Sequence, residues 1–234
     1  MFTGVETTSE ALLTTMRANG IDIALVMPQP TREDVPAYHD QIAADVARSD
    51  GALYGMASID PWWSDSAYSQ EARRCVEQLG FVALKLHPLA HNLAPNHPAA
   101  TKVFRCADEL GVPVIVHTGL GTPWSLPSLC LPAARQYPDL PIVLAHSGWG
   151  IYTAEALVAA EICENLILEP SWCPTYAVRK MFDQFGSDRL LFGSDHLTNV
   201  AVELAKFRAI GVTDEQLDDV FSKNPQRIFG ISPG

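Results

Sequence analysis

The sequence contains no apolar run approaching the roughly 18 residues that a bilayer-crossing helix needs, so a membrane is not an expected partner. It has no cluster of Lys and Arg, and its 234 residues carry a formal charge of −11. Such a surface repels phosphate backbones and anionic lipid, so nucleic acid is not an expected partner either. Residues 1–10 are polar and lack the basic and apolar regions of a secretory signal. Five cysteines (Cys75, Cys106, Cys130, Cys163 and Cys173) form no C-x-x-C pair. They read as reduced thiols of a cytoplasmic protein, on helices or in the core. Phosphate-cradling loops are also missing. Gly119-Leu120-Gly121 lacks a third glycine and runs into Pro123, and no G-x-x-x-x-G-K-[ST] stretch occurs. Neither a G-x-S-x-G elbow nor a Cys/His nucleophile signature is present.

What is there is globular and regular. With 47% apolar residues the chain can bury a sizeable core. Short apolar runs alternate with amphipathic stretches every ~25–30 residues, the rhythm of βα units. The runs at 21–27, 52–59, 81–87, 113–117, 141–146, 166–169 and 189–192 predict seven strands. Helices are expected at 9–19, 39–48, 66–79, 99–110, 126–136, 154–162, 177–185, 200–210 and 214–221. Thr8 or Ser9 is a candidate cap for the first and Thr213 for the last. Strict alternation implies a parallel sheet with right-handed crossovers. Without a nucleotide fingerprint, the reading is one α/β domain over 1–234, a (β/α)8 TIM-type barrel with one strand short of eight.

Three strands end in residues that bind metals or move protons: His117, His146 and Asp195. In such barrels chemistry collects at the C-terminal strand ends. A single His there is more often structural than metal-binding, but two in equivalent positions one strand apart favour a site. Asp195 is costly to bury without a partner; it suits a metal ligand or a base, or else caps the following helix. His196 carries less weight. Lys85 and His87 lie two apart on one strand face. Lys85 is placed to bind an anionic substrate, to bridge two metals if modified, or to form a salt bridge inside the barrel. Trp62, Trp63, Trp124, Trp149 and Trp172 follow strand ends, where they either line a pocket or pack loops; Trp124 and Trp172 are candidates for substrate contact. Glu169 is placed to face the pocket. His39, His91 and His97 stand in polar or proline-rich surroundings and are expected to be exposed.

The segments Ala83-Leu84-Lys85-Leu86-His87-Pro88, Val114-Ile115-Val116-His117-Thr118-Gly119, Leu144-Ala145-His146-Ser147-Gly148 and Leu191-Phe192-Gly193-Ser194-Asp195 resemble, in order and spacing, the amidohydrolase superfamily. The likeness is to its amidohydrolase-related, aminocarboxymuconate-semialdehyde decarboxylase-like branch, and the tail Asn224-Pro225-Gln226-Arg227-Ile228-Phe229-Gly230 is similar to that family's closing segment. The resemblance implies a divalent metal, usually zinc, held through His117, His146 and Asp195. Asp195 would be the general base, His146 would steady a developing oxyanion, and Lys85 and His87 would meet a small-molecule substrate. It implies hydrolysis of a small carboxylic, lactone or amide substrate. Non-oxidative decarboxylation is the alternative, and a catalytically impaired barrel binding a small acid or a protein partner is another.

The family's first strand ends in H-x-H, and no H-x-H occurs in this sequence. The chain reads as beginning at the loop and helix after that strand. Either the start is internal to a longer protein or the strand is lost, and the remaining ligands are too few for a closed zinc site. A missing strand would also expose parallel edges at 21–27 and 189–192. The seam would be filled by the N-terminal residues, by a partner chain (a homo-oligomer being one form) or by distortion.

Overall fold

The computed structural model describes residues 8–28 and 34–232. Six strands, β1 (Ala24–Val26), β2 (Leu53–Ala57), β3 (Ala83–Leu86), β4 (Val114–His117), β5 (Ile142–Ala145) and β6 (Leu166–Glu169), pair in parallel in chain order. Helical crossovers separate the strands, as in the wall of a TIM-type barrel.

The expected seventh strand is a correction. Residues 189–192 make one isolated bridge, Leu168 to Leu190, secured by Leu168 N–H donating to Arg189 O and Leu191 N–H to Leu168 O, both at 2.9 Å. Strand character needs a continued ladder. Among the described residues this segment bridges β6 alone, residues 191–194 have no regular structure, and the chain bends at Asp195 and His196. Among the described residues, no pairing joins it to β1, so the sheet stays open at both edges.

Local chemistry explains where helices start and stop. The Thr8 hydroxyl accepts from Ala11 N–H, and Gly20 closes the helix Ser9–Asn19 at φ 66°. Thr213 and Gln216 form a reciprocal capping box at the helix Asp214–Asp218. The expected helix at 66–79 is α-helical over Asp65–Arg73 and π-helical over Arg74–Gln78. Two helices were not expected, Pro88–His91 and Asn224–Phe229.

The strands have two apolar faces, which is why they read as unbroken apolar runs. Outward side chains Leu84, Leu86, Val114, Val116, Ile142, Leu144, Leu166 and Leu168 are fully buried in the main core beneath the helices. Each contributes about 1.5–3 kcal/mol by leaving water. Inward side chains Ile115, Val143, Ile167 and Leu191 form a second cluster, closed by Ile228 and Phe229 of the last helix.

Candidate active site at the strand ends

Strand register fixes the layers of the inner face. Lys85 pairs with Ile115, Ile115 with Val143, and Val143 with Ile167. One period higher, His117 pairs with Ala145 and Ala145 with Glu169, and His87 follows Lys85 by two. Lys85 therefore rises from an apolar layer toward a layer of histidines and a carboxylate. It is 6% exposed, and among the described residues its ammonium has no hydrogen bond or ion pair. The internal salt bridge considered for it is thus not formed. Burial pushes Lys85 down to about 8, and the charges of Asp195 and Glu169 act in the other direction.

Three imidazoles crowd above it. The His87 and His117 rings stack at 4.2 Å and 10°, and His117 meets His146 edge-on at 4.9 Å. Burial, then neighbouring cationic groups, lower His87 to about 3 and His117 to about 4, and hold His146 well below its ordinary value. All three are neutral at pH 7. His146 also meets Trp149 at 4.9 Å, and Trp149 stacks on Trp172 at 5.3 Å and 10°. The wall is thus a run of flat rings from His87 to Trp172.

Trp172 Nε1–H donates to Asp195 Oδ2 at 2.9 Å. That bond aims the exposed Asp195 at the ring wall. The helix-cap alternative for Asp195 is not what forms, because the His196 side chain caps the turn Leu197–Asn199. His146, Ser147, Trp149, Trp172 and Asp195 all have positive φ, between 39° and 67°. Such left-handed residues other than glycine concentrate where geometry serves a site. Trp124 is 42% exposed on the loop after β4, and among the described residues its ring joins none of these ring contacts.

Glu169 stands in the same layer as His117. Its Oε1 accepts from Ser171 N–H at 2.7 Å, and its Oε2 accepts from His146 N–H at 3.1 Å and from Ser171 Oγ at 2.9 Å. Burial, opposed by these bonds, leaves it raised to about 6. A Cβ on Gly193 would lie 2.6 Å from Glu169 Oε1, so only glycine there leaves the carboxylate its place. Ser171 was invisible in the sequence; its one signal is its spacing two residues past a strand-ending glutamate.

The donor types for a divalent metal are present, but their arrangement does not close around one. His117 Nε2 lies 2.8 Å from Leu120 O, which can only accept, so that nitrogen carries the proton. Among the described residues, one group alone brings three donor atoms within 4.8 Å: His39, Glu71 and Cys75, far from these strand ends in sequence and on other elements. His39 and His91, expected to be exposed, are buried. His91 Nδ1 accepts from His87 N–H at 3.3 Å. His39 Nε2 accepts from Ser58 N–H at 3.1 Å, so its proton sits on Nδ1 and is given to Glu71 Oε1 at 2.6 Å. A metal on Nδ1 would have to displace that proton and leave an imidazolate, so this group is structural.

The comparison with curated proteins finds no match. Among solved structures, 5-carboxyvanillate decarboxylase from Sphingomonas paucimobilis superposes with a TM-score of 0.79 at 18% identity, over 97% of this chain and 84% of that one. A dihydroxybenzoic acid decarboxylase from Polaromonas sp. JS666, holding manganese and the inhibitor 2-nitroresorcinol, gives 0.74 at 19%, over 96% and 86%. A probable 2-pyrone-4,6-dicarboxylic acid hydrolase from Acinetobacter baumannii, with citric acid bound, gives 0.74 at 17%, over 99% and 94%. At these identities the likeness is one of fold, and the fold is that of TIM-barrel proteins. The family described as Amidohydrolase matches residues 11–231. That span takes in all six strands together with Lys85, His87, His117, His146 and Asp195, and the chain belongs to the amidohydrolase family.

Proposed function

We propose that the chain is an enzyme acting on a small carboxylic acid, or on a lactone or amide that carries a carboxylate. Lys85 carries this reading. A buried ammonium with no direct partner among the described residues, under a wall of flat rings, is a cation prepared for an anion that arrives from outside. The wall from His87 to Trp172 suits a planar group beside that carboxylate.

Hydrolysis is the first reading. Asp195 takes a proton from water as the water oxygen attacks a carbonyl, and the leaving oxygen or nitrogen recovers that proton. Decarboxylation is the second, favoured by the ring wall and by the two aromatic-acid decarboxylases among the structural relatives. There the carbon losing CO2 takes a proton, which Asp195 can hold and return. His117, His146 and Asp195 are the donor types that zinc or another divalent metal takes, and the Polaromonas enzyme binds manganese. As arranged they do not converge, so each step above belongs to the chain's own side chains.

The test is product analysis by NMR with a pyrone dicarboxylate and a dihydroxybenzoate as substrates, on wild type and Asp195→Asn. Asparagine keeps an acceptor for Trp172 Nε1–H but cannot take the proton. Turnover of whichever acid reacts is expected to fall by roughly 10²–10⁴, with ligand affinity changed by less than about tenfold. Full turnover in Asp195→Asn would overturn the assignment.

A further inference from the structure

We propose that Ser171 and Glu169 are positioning residues that fix His146 as its Nδ1–H tautomer, so that its Nε2 presents a bare lone pair. The inference rests on the proposed function only in taking His146 to be a working residue. It follows from counting protons along one chain of hydrogen bonds. Backbone N–H groups can only donate. Glu169 receives one at each oxygen, from Ser171 at 2.7 Å and from His146 at 3.1 Å, so both oxygens act as acceptors. Ser171 Oγ has a single proton and lies 2.9 Å from Glu169 Oε2, to which it donates. Its lone pairs then face His146 Nδ1 at 2.7 Å, and the proton of that bond belongs to Nδ1. Direct contact cannot replace the relay, since Nδ1 and Oε2 are 3.8 Å apart.

A neutral imidazole has one N–H. Once it is spent on Ser171, Nε2 has none, and among the described residues Nε2 has no hydrogen-bond partner. His146 is therefore an acceptor toward the site. The role read from the sequence resemblance, steadying an oxyanion, requires a donor and does not suit this tautomer. His87 is the better donor: its Nδ1 accepts from Ala90 N–H at 3.3 Å, which leaves the proton on Nε2. Glu169 has to be a carboxylate for the relay to run in this direction. An amide nitrogen at either of its oxygen positions would point hydrogens at a backbone N–H.

The tautomer can be read directly by long-range ¹⁵N–¹H correlation spectra of the full chain labelled with ¹⁵N, at pH 8, with the His146 signal identified by its loss in His146→Gln. Wild type is expected to show the Nδ1–H pattern. In Ser171→Ala this pattern is expected to give way to the Nε2–H pattern, and Ser171→Thr, which keeps the hydroxyl, is expected to restore it. An Nε2–H pattern in wild type would overturn the proposal, as would an Nδ1–H pattern untouched by Ser171→Ala. Because wild type alone decides the first point, a variant that folds poorly does not rescue the idea. The spectra need no substrate, so failure of the tautomer assignment and failure of the proposed function are separate results.

Discussion

Lys85→Met is expected to make the protein more stable and unable to hold a small carboxylate. Lys85 springs from the same layer as Ile115, Val143 and Ile167, and burial lowers the affinity of its amine for a proton from the ordinary 10.5 to about 8. Near pH 7 it is still charged, so folding carries the cost of desolvating it. A shift of this size corresponds to about 3 kcal/mol. Methionine fills a similar volume without the charge, and a gain on the order of 2 kcal/mol is expected in urea or thermal unfolding at pH 7. The sign also sets a pH dependence. Between about pH 8 and 10.5 the unfolded chain binds a proton that the folded chain does not. Wild-type stability should therefore rise with pH through that window relative to the variant, with the penalty fully present below it. Carboxylate affinity should move the opposite way to stability. Losing a charge-assisted bond in a dry site costs roughly 2–4 kcal/mol, about 30- to 1000-fold in affinity. A variant that is less stable and binds carboxylates normally would show Lys85 to be a structural residue.

Glu71→Ala is expected to give the largest loss of stability, about 3–5 kcal/mol in denaturant unfolding. Glu71 and Cys75, on the helical segment 65–78, both meet the fully buried His39, and Arg74 on the same segment holds Glu71. Arg74 Nε donates to Glu71 Oε2 at 2.8 Å, and its Nη1 donates to Asp40 Oδ1 at 2.5 Å. Burial pushes the Glu71 carboxyl up, but its bonds to Arg74 and His39 outweigh that and hold it below the ordinary value. Removing the carboxylate leaves the buried His39 Nδ1–H with only the weak acceptor Cys75 Sγ at 3.2 Å, and leaves Arg74 with Asp40 and the Pro36 carbonyl. A change below about 1 kcal/mol would show the network to be decorative.

The sequence carried the fold where burial alone determines structure. β4, β5 and β6 are apolar on both faces, and their ranges match the expected runs to within a residue at each end. Residues 189–192 have the same composition but form only a bridge, because strand character depends on partners that composition does not record. The site was legible as far as strand period reaches: Lys85, His87, His117, His146 and Asp195 are gathered by the layers of the sheet and the turn after residue 192. Beyond that, contacts across the sequence decide. His39 was expected at the surface because its near neighbours are polar, yet its partner Glu71 is 32 residues away. The proton position on His146 depends on a serine one strand further on, and no residue pattern encodes that.

The most direct test of the account is a calorimetric titration of wild-type protein with benzoate between pH 6.5 and 10. Burial holds the Lys85 ammonium at about 8, while benzoate stays ionised across this range. Affinity is expected to be level up to about pH 7.5 and then to fall close to tenfold for each pH unit above about 8, with Lys85→Met binding weakly throughout. Benzoate affinity that stays flat to pH 10, or that is the same in Lys85→Met, would contradict the central claim that Lys85 is the carboxylate anchor of this site.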